Sequence, residues 1–333
     1  MSKPDAKAAG SAEPPNMTDT SSSALRDVDA GHRRLHELIA RARRQAGDAL
    51  PVVGLVHACD ALALQAAAAI AQAGIARPLL IGPREAIVRA GAAAEVEASA
   101  FEIVATADDC PAAAQRAVAL ARDGALGMLM KGSLHTDELM SAVVDRTHGL
   151  RGEHRISHAF VFDLPRYHKL LALADCVVNI APNIHTKHDI VGNAVALLRK
   201  IGIAQPKVAI VAAVETVNPA IPATVDAQAL VEAAQAGAWP GAIVEGPFGF
   251  DNAFSAEAAR IKKIDSRVAG DADLLIMPEL NAGNMLYKSF VYVGGGDCAG
   301  LVLGTRVPVV LTSRADSLLA RLASVALGVL AGA

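Results

Sequence analysis

Pro51-Val52-Val53-Gly54-Leu55-Val56-His57, followed from Asp60 by an alanine-rich stretch that runs to Ala73 and stops at Gly74, decides the fold. A short apolar run bounded by turn residues reads as a buried strand, and the stretch after it as a helix with a glycine stop. The unit recurs. Arg77-Pro78-Leu79-Leu80-Ile81-Gly82 leads into a helix over 84–90, Phe101 to Ala105 leads to a helix from Pro111, and Leu126 to Met130 ends the series. Proline suits the first turn of a helix because its missing N–H is unpaired there anyway. Strands alternating with helices at this spacing predict a parallel sheet covered on both faces, since a parallel crossover needs a helix-length connection.

A basic helix around Arg33 to Arg44 precedes the series, and a second series follows it. Its apolar runs are Ser157 to Phe162, Cys176 to Ile180, Val208 to Val214, Ala242 to Val244, Leu274 to Met277 and Leu301 to Leu303, with helices over 189–201 and 227–236. Thr305 to Thr312 then predicts one more strand and Ser317 to Leu330 one more helix, which either extend the second sheet or return to the first. With 333 residues, 53% of them hydrophobic, the chain has core enough for two α/β domains. No repeat of solenoid length is present.

Composition excludes several classes of function. A formal net charge of -3 and a pI near 6.4 leave no basic stripe, and 3% aromatic residues are too few for base-stacking platforms, so nucleic acid is not an expected partner. No apolar run has the length and freedom from charge of a membrane span, and the first residues lack a secretory signal, so a cytoplasmic location is expected. Cys59, Cys110, Cys176 and Cys298 lie too far apart for the paired spacing of zinc or redox motifs and read as reduced thiols. Residues 1–30, with Pro4, Pro14, Pro15 and the run Ser21 to Ser23, read as a disordered tail.

Three segments place cations, hydroxyls or amides beyond a predicted strand, where ligands bind in open α/β folds. The strongest is Val307-Pro308-Val309-Val310-Leu311-Thr312-Ser313-Arg314-Ala315-Asp316. Backbone N–H groups at a strand-to-helix turn favor anions, and arginine matches phosphate oxygens in bidentate fashion; Ser313 or Asp316 also reads as a plain helix cap. Lys131-Gly132-Ser133-Leu134-His135-Thr136 and Asn281-Ala282-Gly283-Asn284-Met285-Leu286-Tyr287-Lys288 repeat the pattern as loops. Together they predict a polyanionic substrate, with Lys131, His135, Thr136, Asn284 and Lys288 as binding candidates.

Other motifs point away from other chemistries. Gly294-Gly295-Gly296 lacks the strand-to-helix context of a dinucleotide fingerprint and reads as a flexible turn. His154 with His158, and His185-Thr186-Lys187-His188, lack an acidic third ligand, so no metal site is expected. Glu215 reads equally as a cleft residue and as a loop acceptor. Ser313 sits in no GxSxG elbow, so a serine-acyl mechanism is unsupported.

From about Val52 to the C-terminus the chain resembles the phosphate acetyltransferase and phosphate butyryltransferase family, on Val268-Ala269-Gly270-Asp271-Ala272-Asp273, the segments Pro278 to Lys288 and Pro308 to Ser317, Gly246 to Ala253, and Ala181 to Asn193. The resemblance implies two three-layer α/β domains with mainly parallel sheets. The first would span 31–152 and 306–333, the second, inserted, 153–305, with the active site in the interdomain cleft. It implies reversible transfer of an acetyl or other short acyl group between coenzyme A and inorganic phosphate, by direct attack of the CoA thiolate on the acyl phosphate carbonyl. CoA, acyl phosphate and phosphate are then the partners, CoA being a substrate with no tightly bound cofactor, and a homodimer is expected. Arg314 would hold the phosphoryl group, and Ser313 would orient the thiol or the carbonyl oxygen without being acylated. Many acetate-pathway relatives carry an aspartate base seven residues after the serine, where this chain has Ala320. Asp316 is then either a cap or the group that assists the thiol. A two-domain decarboxylating NAD-dependent dehydrogenase and a non-catalytic acyl-CoA-binding protein are the alternatives.

Overall fold

The computed structural model describes residues 31–313 and 315–332; the expected tail over 1–30 and Arg314 lie outside them. Among the described residues the strands are β1 (Val52–Val56), β2 (Arg77–Gly82), β3 (Glu102–Ala105), β4 (Met128–Lys131), β5 (Ser157–Asp163), β6 (Leu171–Ala174), β7 (Lys207–Val211), β8 (Ile243–Phe248), β9 (Leu274–Ile276), β10 (Asp297–Leu303) and β11 (Val309–Val310). The helices are α1 (Arg33–Ala46), α2 (Ala61–Ala73), α3 (Arg84–Ala94), α4 (Cys110–Arg122), α5 (Thr136–Val143), α6 (Ile184–Lys200), α7 (Pro222–Gln235), α8 (Phe250–Phe254), α9 (Ala256–Ile261), α10 (Leu280–Tyr292) and α11 (Leu318–Gly332).

The strands form one sheet in the order β3-β2-β1-β4-β11-β10-β5-β6-β9-β7-β8. Its first five strands and its last four are parallel blocks. Between them β11–β10, β10–β5 and β5–β6 are each antiparallel, so the second block runs opposite to the first. β11 returns to the first block, pairing Val309 with Leu129 and Val310 with Met130. The sequence pattern had left that choice open.

Local chemistry accounts for the element ends. Asp60 caps α2 by accepting the Ala63 N–H at 2.8 Å, and Gly74 ends it in the left-handed region at φ 63. Three expectations are corrected. Cys176–Ile180 is a turn instead of a strand, because the Asp175 carboxylate accepts the N–H groups of Val177 (2.9 Å) and Val178 (3.0 Å) and bends the chain; the strand is β6, just before it. Thr305–Thr312 is not one continuous strand: Thr305 makes an isolated antiparallel bridge to Arg151 and its Oγ1 donates to the Val307 carbonyl, Pro308 has no N–H to give, and Val309 and Val310 alone form β11. The 281–288 segment is not a loop: Glu279 accepts the N–H groups of Asn281 (2.8 Å) and Ala282 (2.7 Å) and starts α10.

Helices cover both faces of the sheet. On one face α1, α2, α3, α6, α7 and α11 pack into one continuous apolar core. On the other the core is broken into two, one part under α4 and α5 and one under α8 and α10. Strand periodicity assigns side chains to these faces: Met128 and Met130 join the continuous core, so Leu129 and Lys131 face the broken side. By the same rule Ala159 and Val161 face the continuous core, and His158, Phe160 and Phe162 the broken side.

Candidate active site

A cavity of about 370 Å³ opens on the broken face, lined by Lys131, Leu134, His135, Thr136, Phe160, Val177, Tyr287, Leu311, Thr312, Ser313 and Asp316. Its walls come both from the first parallel block with its β11 return and from the 153–305 segment. Five of the residues picked out from sequence thus meet in one place: Lys131, His135, Thr136, Ser313 and Asp316. Lys131 and Thr312 lie at the carboxyl ends of the adjacent parallel strands β4 and β11, where an open α/β sheet leaves room for a ligand.

The β4 loop is held tightly. Ser133 Oγ donates to the His57 carbonyl at 2.7 Å, which leaves the His57 Nδ1–H to donate to Ser133 Oγ at 2.8 Å. Gly132 is required beside it, because a Cβ there would stand 2.5 Å from the Val56 carbonyl oxygen. Lys131, buried, donates from Nζ to the carbonyls of Gly132 (3.3 Å) and Leu134 (3.2 Å). Glu138 accepts the His135 N–H at 2.7 Å, so Thr136 opens α5.

The β11 turn is held by different groups. Asp316 accepts the Ser313 N–H at 2.6 Å, and burial pushes the Asp316 carboxyl above its ordinary 3.8. Neither Ser313 nor Asp316 caps α11. Ser317 does so, accepting the Ala320 N–H at 2.9 Å while donating to Asp297 at 2.5 Å. Arg321, buried one turn into α11, donates to the Ser313 carbonyl at 2.7 Å and to Thr312 Oγ1 at 3.3 Å. A small adjoining space is lined by Asp60, Leu62, Ala63, Lys131, Gly132, Thr312, Ser313 and Arg321, so a second cation stands beside Lys131. Ala320 itself is buried.

Asn284 and Lys288 line neither space. Asn284 donates to the Cys176 carbonyl at 3.2 Å, and Lys288 is exposed. On a helix, consecutive side chains are about 100° apart; Tyr287, not its neighbor Lys288, reaches the cavity. The histidines are dispersed: His158 is buried in β5, His154 is 3.8 Å from Asp189, and His185 and His188 lie in α6. Among the described residues no group of three His, Cys, Asp or Glu is arranged to hold a metal ion, and no helix is long and apolar enough to cross a membrane.

A larger cavity between α4 and α5, about 690 Å³, is lined by Asp137, Glu138 and Asp145 with Arg122 and His148. Three carboxylates there stand against one guanidinium, whereas the smaller cavity sets Lys131 against the single carboxylate of Asp316.

Residues 110–329 match the phosphate acetyl/butaryl transferase family. The chain is 48% identical over 297 residues to a phosphate acetyltransferase of Rhizobium meliloti, covering 88% of this chain and 92% of that protein. The chain belongs to this family. A phosphate butyryltransferase of Clostridium acetobutylicum is 38% identical, covering 84% of this chain and 92% of its own length. The crystal structure of a branched-chain phosphotransacylase from Enterococcus faecalis V583 superposes with a TM-score of 0.75 at 30% identity, covering 85% of this chain and 99% of that one. Membership of the phosphate acetyl/butaryl transferase family displaces the dehydrogenase alternative and makes the chain an acyltransferase by descent.

Two kinds of residue were missed in the sequence. Arg321 is a lone cation inside an apolar helix, with no motif around it. Phe160, Val177 and Tyr287 read as core. The only available signal was Tyr287's place within the Pro278 to Lys288 segment.

Proposed function

We propose that the chain carries a short acyl group, acetyl first among them, between CoA and inorganic phosphate, and that the reaction takes place in the cavity of Lys131, Ser313 and Asp316. The CoA thiolate attacks the acyl phosphate carbonyl carbon; a carbon–sulfur bond forms, the carbon–oxygen bond to phosphate breaks, and phosphate leaves with the electron pair. One observation carries this reading: the cavity brings the buried cation of Lys131 together with the Ser313 to Asp316 turn. A preorganized cation stabilizes charge growing on the carbonyl oxygen and on the departing phosphate.

In this reading Asp316 takes the thiol proton. Its carboxyl is raised by burial, which makes it a better base than an exposed aspartate, and Ala320 offers none. Ser313 orients the thiol or the carbonyl oxygen, and Arg314 holds the phosphoryl group. His135 and Thr136 bind anionic oxygens beside Lys131. Lys288, exposed on α10 next to the cavity-lining Tyr287, is assigned to the CoA phosphates outside the cavity, and Asn284 to seating that helix. CoA is a substrate, with no tightly bound cofactor.

The reading includes a first domain of 31–152 and 306–333 with 153–305 inserted, supported by the pairing of β11 with β4. A homodimer is part of it too, supported by Met285, Tyr292 and Val293, exposed apolar side chains at the outer face and end of α10. A cytoplasmic location accords with four free cysteines.

The test is direct. Purified protein is mixed with CoA and either acetyl phosphate or butyryl phosphate, and thioester absorbance is followed together with released phosphate. Equal amounts of thioester and phosphate are expected; no thioester from either donor rejects the reading.

A further inference from the structure

The cavity has an apolar side with no part in holding anions. Phe160 and Tyr287 stack there, ring centroids 4.2 Å apart and planes 10° from parallel, and Val177, Leu134 and Leu311 complete the lining. An acyl phosphate has the same division, an anionic end and an apolar end. With the phosphoryl group toward Lys131 and the Ser313 turn, the acyl chain extends onto the aromatic pair.

We propose that the stacked pair Phe160 and Tyr287 is the wall that sets acyl chain length. The inference rests on the acyltransferase reading above. Its structural basis is that the wall has little room to retreat. Phe160 pairs across the sheet with Gly300, where even a Cβ would stand 2.8 Å from the ring, and the His158 ring packs against it at 4.5 Å. Behind Tyr287 lie Phe162, 6.2 Å away, and Phe290, edge-on to Phe162 at 5.1 Å. Val177 is held by the Asp175 carboxylate, which also accepts from Asn179 Nδ2 at 2.7 Å. Close-packed aromatic groups backed on several sides resist displacement, so a longer chain meets them instead of moving them.

The experiment compares kcat/KM for acetyl phosphate and butyryl phosphate in the wild type and in Tyr287→Ala, Tyr287→Phe and Phe160→Leu, with circular dichroism confirming the fold of each. A hydrophobic pocket discriminates one methylene by roughly 10- to 200-fold, so Tyr287→Ala is expected to raise the butyryl-to-acetyl ratio at least about 10-fold. Phe160→Leu, which keeps an apolar group against Gly300, is expected to raise it in the same direction. Tyr287→Phe, which keeps the ring, leaves the ratio within about twofold on the same scale. A ratio unchanged in folded, active Tyr287→Ala or Phe160→Leu, or an equal loss for both donors, overturns the wall and leaves acyl transfer standing. A wild type that makes no thioester from either donor overturns both.

Discussion

The guanidinium of Arg321 donates to the carbonyl oxygen of Ser313 at 2.7 Å, tying the first turns of α11 to the β11 turn that carries the catalytic candidates. The same guanidinium reaches Thr312 Oγ1, so one buried cation fixes two successive residues of the cavity wall. Hydrogen bonds to charged groups contribute about 1.5–3 kcal/mol, and removing one partner leaves the other unsatisfied. Arg321→Met should therefore lower kcat by roughly 10- to 100-fold and depress the melting temperature. Arg321→Lys should recover part of both. Steady-state kinetics beside a thermal melt checks this, and a Met variant that melts early but keeps its kcat would limit Arg321 to stability.

Asp316 gives a pH dependence with a definite sign. Burial raises its carboxyl above 3.8, and a base must be ionized, so activity should fall as pH drops through that raised value. The acid limb of kcat/KM in the CoA direction should lie above the pH of an ordinary aspartate. In Asp316→Asn the limb should vanish along with most of the rate. An unaltered limb in the variant would assign it to another group.

His158 should govern stability in mild acid. Neither ring nitrogen has a hydrogen-bond partner among the described residues, and burial, opposed in part by Asp175, pulls its pKa from 6.5 to about 4. The unfolded chain then takes up the proton first. The stability contributed by a neutral His158 is whole above pH 6.5 and erodes as pH falls below it toward the lowered value of the folded state. His158→Phe should flatten urea-unfolding stability between pH 6.5 and 4; an unchanged slope would mean the imidazole is already satisfied.

Gly132 should tolerate no side chain. With its Cβ position 2.5 Å from the Val56 carbonyl and 2.6 Å from that of His57, Gly132→Ala must push the 131–136 loop off β1 and move Lys131 with it. KM for acyl phosphate should rise about 10-fold or more, the scale of 1.4 kcal/mol or more in binding. Wild-type KM in that variant would show that the loop position is immaterial.

Polar strand ends were legible in the sequence because few other features put cations and hydroxyls directly after apolar runs. Lys131, His135, Thr136, Ser313 and Asp316 were found that way and meet in one cavity. The opposite wall was hidden because an aromatic side chain lining a pocket has the same pattern as one in a core; Phe160 belongs to both. Asn281, Gly283 and Asn284 disguised α10 as a loop, since these residues favor turns until a cap such as Glu279 and tertiary packing override them. Cys176 to Ile180 looked like a strand because its apolar residues were counted without the carboxylate of Asp175 that turns them. The return of β11 to β4 depends on long-range pairing that no local pattern encodes.

If the Ser313 turn, facing Lys131, carries acyl transfer to CoA, the rate depends on the serine hydroxyl. Initial rates of thioester formation from acetyl phosphate and CoA, measured side by side for the wild type and Ser313→Ala, test it most directly. Robust turnover is expected of the wild type and a loss of about 100-fold or more in the variant, the scale of a transition-state hydrogen-bond donor, with its fold intact. Equal rates in the two proteins would contradict it.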